Sequence, residues 1–123
     1  MQLSKIVFLF SLCISVLTSA GLSADRKLQV VCTLPTLKAL TEEVGGNRVE
    51  VIALAKGDQD PHFVTPTPIL MKRTREANLF VENGFSLELW ADEVANGSGN
   101  SRIFRGTSGR IIAGWSASIF PSD

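Results

Sequence analysis

An α/β fold on a parallel sheet is the architecture this sequence predicts, and two observations carry it. Three short apolar runs, Lys27–Thr33, Arg48–Leu54 and Leu79–Glu82, alternate with stretches of helical periodicity, giving the order β-α-β-α-β-α. The first run, Lys-Leu-Gln-Val-Val-Cys-Thr, is apolar enough to be buried on both faces, as the strands of a parallel sheet are. Right-handed crossovers then bring the loops after the strands to one edge. Ligands of such sheets sit beyond the carboxyl ends of the strands, so that edge is where function is expected.

The segment before the first strand has a different character. Met1–Lys5 carries one positive charge, Ile6–Leu17 is an apolar run, and Thr18-Ser19-Ala20-Gly21 supplies small residues. This is the pattern of an export signal, with cleavage after Ala20 and a weaker alternative at Ala24. The apolar run is shorter than the roughly 20 residues of a membrane span. No arginine pair precedes it, and Cys13 lies inside the apolar run rather than after a small-residue box. Neither a twin-arginine route nor a lipoprotein anchor is therefore read. The expected division is a signal peptide at residues 1–20 and one domain at 21–123, exported to the periplasm or the cell surface.

Removal of residues 1–20 takes Lys5 and leaves 11 basic against 12 acidic side chains, a formal charge of −1. That balance offers no electrostatic footprint for nucleic acid or an anionic membrane. Cys32 then stands alone, which excludes a disulfide framework; in its valine-rich run it reads as a small buried hydrophobe.

Each element has its own signals. Pro35 opens the first helix at a position that tolerates proline, and Gly45-Gly46 ends it. Leu37, Leu40 and Val44 repeat at helical spacing and are expected to face the core. Thr67 can cap the second helix, with Pro68 at its first position, and the helix is expected to run to about Asn78. Its run Lys72, Arg73 and Arg75 reads as a solvated face. The third strand closes at the Asn83-Gly84 turn signal. Leu87, Trp90, Ala91 and Val94 form the stripe of a last amphipathic helix, with Trp90 read as packing, and Asn96–Ser101 is expected to be a flexible break. Beyond Arg102 the pattern weakens. Gly106-Thr107-Ser108-Gly109 resembles a phosphate loop only superficially, because no strand-to-helix transition surrounds it.

Between the second strand and the second helix lies the stretch Asp58-Gln59-Asp60-Pro61-His62-Phe63, with the only histidine of the chain. Pro61 fixes its own φ and drives Asp60 toward extended geometry, so the loop is stiff. A stiff loop presenting one imidazole beside two carboxylates suits a metal ion or a proton, histidine being the commonest metal ligand. The ordinary alternative is a solvated or hydrogen-bonded side chain.

Several stretches resemble a known family. They are the Val-Val-Cys-Thr strand, Val44–Val51, Gly57–His62 with its Asp-Pro-His, Thr65-Pro66-Thr67-Pro68, Ala77–Gly84, and Leu87-Glu88-Leu89-Trp90. In this order and spacing they are similar to the N-terminal lobe of the zinc- and manganese-specific substrate-binding proteins of ABC importers, over roughly Leu28 to Gly114. The resemblance implies a three-layer, parallel-sheet lobe of the periplasmic metal-binding-protein, chelatase-like type. It implies an extracytoplasmic receptor, not an enzyme, that delivers Zn2+ or Mn2+ to the membrane permease of an ABC importer. The metal is the transported ligand rather than a cofactor, and His62 matches the family's first metal-ligating histidine. The family's further His and Asp or Glu ligands lie well downstream, so residues 21–123 correspond to an incomplete, N-terminal lobe.

Two other readings are weighed against this one. The first is an adhesin-like or non-functional exported fragment of the same family, without tight metal binding. The second is a small secreted enzyme using His62 and Asp60 as an acid–base pair, ranked last because no nucleophile stands at a recognisable elbow.

Overall fold

The fold is that of a computed structural model, which describes residues 26–117. The expected signal peptide and its cleavage site lie outside these residues. Strands β1 (Leu28–Cys32), β2 (Val49–Ala53), β3 (Leu79–Glu82) and β4 (Arg110–Ile112) form one sheet in the order β2-β1-β3-β4, with every pair parallel. Helices α1 (Pro35–Gly45), α2 (Pro68–Thr74), α3 (Ala91–Gly97) and α4 (Ala113–Ala117) connect or follow the strands. No helix among the described residues is long and apolar enough to cross a membrane. The three expected strands are present and parallel. The fourth was not expected, because it has three residues and opens on an arginine.

Strand alternation divides the core into two layers. Val31 and Phe80 face one side with Trp90, Ala91, Val94 and Ile103, and Leu70 of α2 packs against them. Val30, Cys32, Val51 and Val81 face the other side with Leu37 of α1. The strand order explains this split. The β1-to-β2 crossover and the two that return to β3 and β4 run in opposite directions, so right-handed connections place α1 opposite α2 and α3. The result is the three-layer, helix–sheet–helix lobe.

Three expectations are corrected here. In α1 only Leu37 reaches the core: it is 8% exposed, against 65% for Leu40 and 81% for Val44. The helix packs on β2 and β1. Leu40 and Val44 instead border an apolar groove of about 370 Å3 with Leu79, Val81 and Ile111. The last amphipathic stripe does not start a helix at Leu87. Phe85 (φ 56°) and Ser86 (φ 62°) are left-handed, and turns lead to a helix that begins at Ala91. The Asn96–Ser101 stretch is packed rather than loose. Ser98 is buried, and the Asn100 side-chain amide donates to the carbonyl of Ala77 at 2.8 Å. A Cβ at Gly97 would stand 2.5 Å from Met71 Sδ, so at this glycine the side chain of Met71 packs directly against α3.

At β3 and β4 a buried ion pair is joined to a half-exposed one. Arg110 donates from Nη2 to Glu82 Oε2 at 2.7 Å and from Nε to Glu82 Oε1 at 3.3 Å. Arg110 Nη2 also stands 2.8 Å from Asp92 Oδ1, and Arg105 donates to Asp92 Oδ2 at 3.0 Å. Burial works against the charge on Asp92, but the hydrogen bond from Arg105 and the nearby Arg110 charge outweigh it and hold the carboxyl below the usual carboxylate range. A lowered folded-state value means that Asp92 stabilises the fold above its unfolded pKa of about 3.9, and that this contribution is lost as pH falls through the folded value. The urea midpoint is therefore expected to drop on acidification below about pH 4, and to drop less in Asp92→Asn. Equal acid sensitivity of the two chains would contradict this assignment.

Candidate metal centre

The loop carrying His62 leaves the sheet in steps that sequence and pairing dictate. Beyond β2 the amides of Leu54 and Ala55 still donate to the carbonyls of Cys32 and Thr33, at 2.9 Å each, so the loop starts in fixed register. Val64, buried, pins its far end. Between them Asp60 is extended (φ −63°, ψ 120°), as a residue before proline should be, and Pro61–Phe63 makes a single tight turn.

Asp60 caps this turn with one oxygen. Its Oδ1 accepts from the backbone N–H of His62 at 2.9 Å and lies 2.9 Å from His62 Nδ1. The backbone hydrogen bond, and then the side-chain one, hold the Asp60 carboxyl below the usual carboxylate range. An ionised Asp60 can only accept, so the Nδ1 proton is the one shared with it. That tautomer leaves the Nε2 lone pair for a ligand, which is how carboxylate-oriented histidines bind metals. The imidazole is accessible, at 56% side-chain exposure. Asp60 thus orients the imidazole rather than adding an oxygen beside it, while Asp58 is exposed.

The neighbouring rim is built by a segment in which the sequence reading saw only packing. Trp90 is buried, and its indole N–H donates to the carbonyl of Pro61 at 2.7 Å. Glu88, also buried, accepts at Oε1 from Thr33 Oγ1 at 2.7 Å and from Asn83 N at 2.8 Å, and at Oε2 from Gly84 N at 3.1 Å. These bonds tie the ends of β1 and β3 to the Leu-Glu-x-Trp segment, the one sequence signal that pointed to it. The loops after β1, β2 and β3 therefore meet at one edge. Gly84, Phe85 and Ser86 follow one another with positive φ, of 87°, 56° and 62°. Left-handed residues with side chains persist only where their surroundings hold them.

Cys32 takes no part in this edge. It is fully buried on the α1 side of the sheet, where desolvation pushes its thiol up despite the hydrogen bond with Thr41. A cleft of about 140 Å3 beside the end of β3 is lined by Glu82, Phe85, Glu88, Asp92, Arg105 and Trp115, away from His62. Its acids Glu82 and Asp92 are engaged by arginines. Among the described residues no group of three or more His, Cys, Asp or Glu stands close enough to hold a metal ion.

The sequence profile of the family described as ZnuA, zinc-uptake complex component A periplasmic, matches residues 30–110. The chain belongs to this ZnuA family. It is 32% identical over 103 residues to a putative metal-binding protein of Treponema pallidum, covering 84% of this chain and 32% of that one. It is 31% identical over 90 residues to the metal ABC transporter substrate-binding lipoprotein SloC of Streptococcus mutans, covering 70% and 29%. Among solved structures it is similar to the periplasmic zinc binding protein TroA from Treponema pallidum, with a TM-score of 0.60 and 26% identity, covering 80% of this chain and 32% of that one. The chain therefore spans about a third of the length of the ZnuA-type relatives it matches. The family is described by zinc uptake and SloC by substrate binding for an ABC transporter, which sets aside the reading of His62 and Asp60 as an enzyme's acid–base pair.

Proposed function

We propose that this chain supplies the N-terminal lobe of an exported receptor that captures a divalent transition metal, zinc or manganese, and hands it to the membrane permease of an ABC importer. His62 is the metal contact. The observation that carries the reading is the orientation of that imidazole: Asp60 holds Nδ1, and Nε2 is left available on an exposed edge. The position supports it too, since His62 follows β2 at the carboxyl end of a parallel sheet, where α/β folds bind their ligands. Residues 1–20 direct export, and the receptor works in the periplasm or at the cell surface. A family described by zinc uptake and a relative named for metal transport support a divalent transition metal as cargo.

One imidazole is far from the three or four protein ligands of a zinc site. The chain is therefore expected to bind Zn2+ weakly, well short of the roughly 10–16 kcal/mol apparent for structural zinc sites. Because the proton and the metal compete for the same nitrogen, binding should weaken as pH falls. Calorimetric titration with Zn2+ is the test. His62→Ala is expected to abolish binding, while Asp58→Asn should leave most of it. Tight, stoichiometric zinc uptake that persists in His62→Ala would place the site elsewhere.

A further inference from the structure

Trp90 reads from the sequence as core packing, and it is 6% exposed. Its indole N–H nevertheless leaves the core and donates to Pro61 at 2.7 Å. The peptide that joins Pro61 to His62 is one rigid plane, with the Pro61 carbonyl at one end and the His62 N–H at the other. Both ends are held: the carbonyl by Trp90 and the N–H by Asp60 Oδ1 at 2.9 Å. We propose that Trp90 is a positioning residue for the metal contact, fixing through the Pro61 carbonyl the direction in which His62 presents its imidazole. This rests on the reading of His62 as the metal contact.

Three features give the indole this leverage. Pro61 has no N–H and a locked φ, so rotation of the following peptide is the main freedom left to the turn. Trp90 stops that rotation. Asp60 alone could not fix the ring in space, because it belongs to the same loop and would move with it, at 55% side-chain exposure. Trp90 belongs to another element and is anchored to the sheet. Its carbonyl accepts from Val94 N at 3.1 Å at the start of α3, and the amide of Ala91 donates to Glu88 at 3.0 Å. Glu88 is in turn bonded to Thr33 after β1 and to Asn83 and Gly84 after β3. Hydrogen bonds and the chain between them thus link the sheet through Glu88, the Trp90-Ala91 segment and Pro61 to His62. Phenylalanine at this position could fill the core but could not complete the link.

The experiment compares the full chain with Trp90→Phe, read at the imidazole signals of His62 during titration with Zn2+ alone. These signals are unambiguous because the chain has one histidine. Exchange of the His62 amide is measured on the same samples without metal. Loss of one net hydrogen bond predicts that, in Trp90→Phe, the amide exchanges about 3- to 10-fold faster and the shift needs about 3- to 10-fold more zinc. The indole N–H of the native chain is expected to be protected from exchange, a readout that does not depend on the variant folding. A folded Trp90→Phe with unchanged exchange and unchanged zinc dependence would overturn the proposal, and so would a freely exchanging indole in the native chain. If zinc leaves the His62 signals of the native chain unmoved, the metal reading fails instead, and amide exchange alone decides whether Trp90 positions the imidazole.

Discussion

Arg110→Ala is expected to cost about 3–5 kcal/mol, a large share of the roughly 5–15 kcal/mol that holds a domain folded. The reason lies in what remains behind. Glu82 is 3% exposed and receives two hydrogen bonds from Arg110; without them its carboxylate is buried with only Arg105, 3.7 Å away and 57% exposed, in reach. Arg110 also lies 5.1 Å from the centroid of the Phe80 ring, so the core loses a packed guanidinium as well. A paired replacement, Glu82→Gln with Arg110→Met, removes both charges and should recover much of the loss, since a buried ion pair is often no better than an apolar pair of its size. Urea unfolding of the single and double variants checks this. A single-variant loss below about 1 kcal/mol would mean that the pair is solvated in solution.

Glu88→Ala is expected to be comparably damaging, by a different route. It removes one acceptor group, leaves the donors Asn83 N and Gly84 N without a partner, and reduces Thr33 Oγ1 to its longer bond with the Val81 carbonyl at 3.4 Å. Each orphaned donor costs about 1–3 kcal/mol where water is excluded, so for these two half-buried amides a total of about 2 kcal/mol or more is expected. The left-handed run Gly84-Phe85-Ser86 begins where two of those bonds are made, and its geometry should relax once they are gone. Glu88→Gln, which keeps one acceptor oxygen, should fall between the two. Thermal unfolding gives the ranking; a Glu88→Ala chain as stable as the parent would deny the carboxylate its role in holding the rim.

The sheet was legible because the first strand is apolar on both faces and three short apolar runs alternate with stretches of helical periodicity. β4 escaped because its signal is tertiary. Arg110 can occupy a buried strand position only because Glu82, on the neighbouring strand, receives it. The stripe of α1 misled for a related reason. Periodicity reports that Leu37, Leu40 and Val44 share a face, but not how much of that face the sheet covers. The start of α3 was placed too early because an apolar spacing of three and four continues through Leu87 to Trp90, while the positive φ of Phe85 and Ser86 leaves no mark in composition.

At the site, His62 was legible as the single histidine in a proline-stiffened loop. Asp60 was legible only as a carboxylate beside the imidazole; that it accepts from the His62 N–H and lies against Nδ1 came from the geometry. Glu88 and Trp90 were visible as a motif but silent as to role, because the partners that reveal it, Thr33 and Pro61, lie 55 and 29 residues away in the chain.

His62 Nε2 is the atom through which this chain is proposed to meet its metal. X-ray absorption at the zinc edge, on the chain held in excess over Zn2+, tests it most directly. The prediction is one imidazole nitrogen at about 2.0–2.1 Å with oxygen in the remaining positions, and loss of the imidazole signature in His62→Ala. Bound zinc with no imidazole signature in the native chain, or with a sulfur at about 2.3 Å, would contradict it.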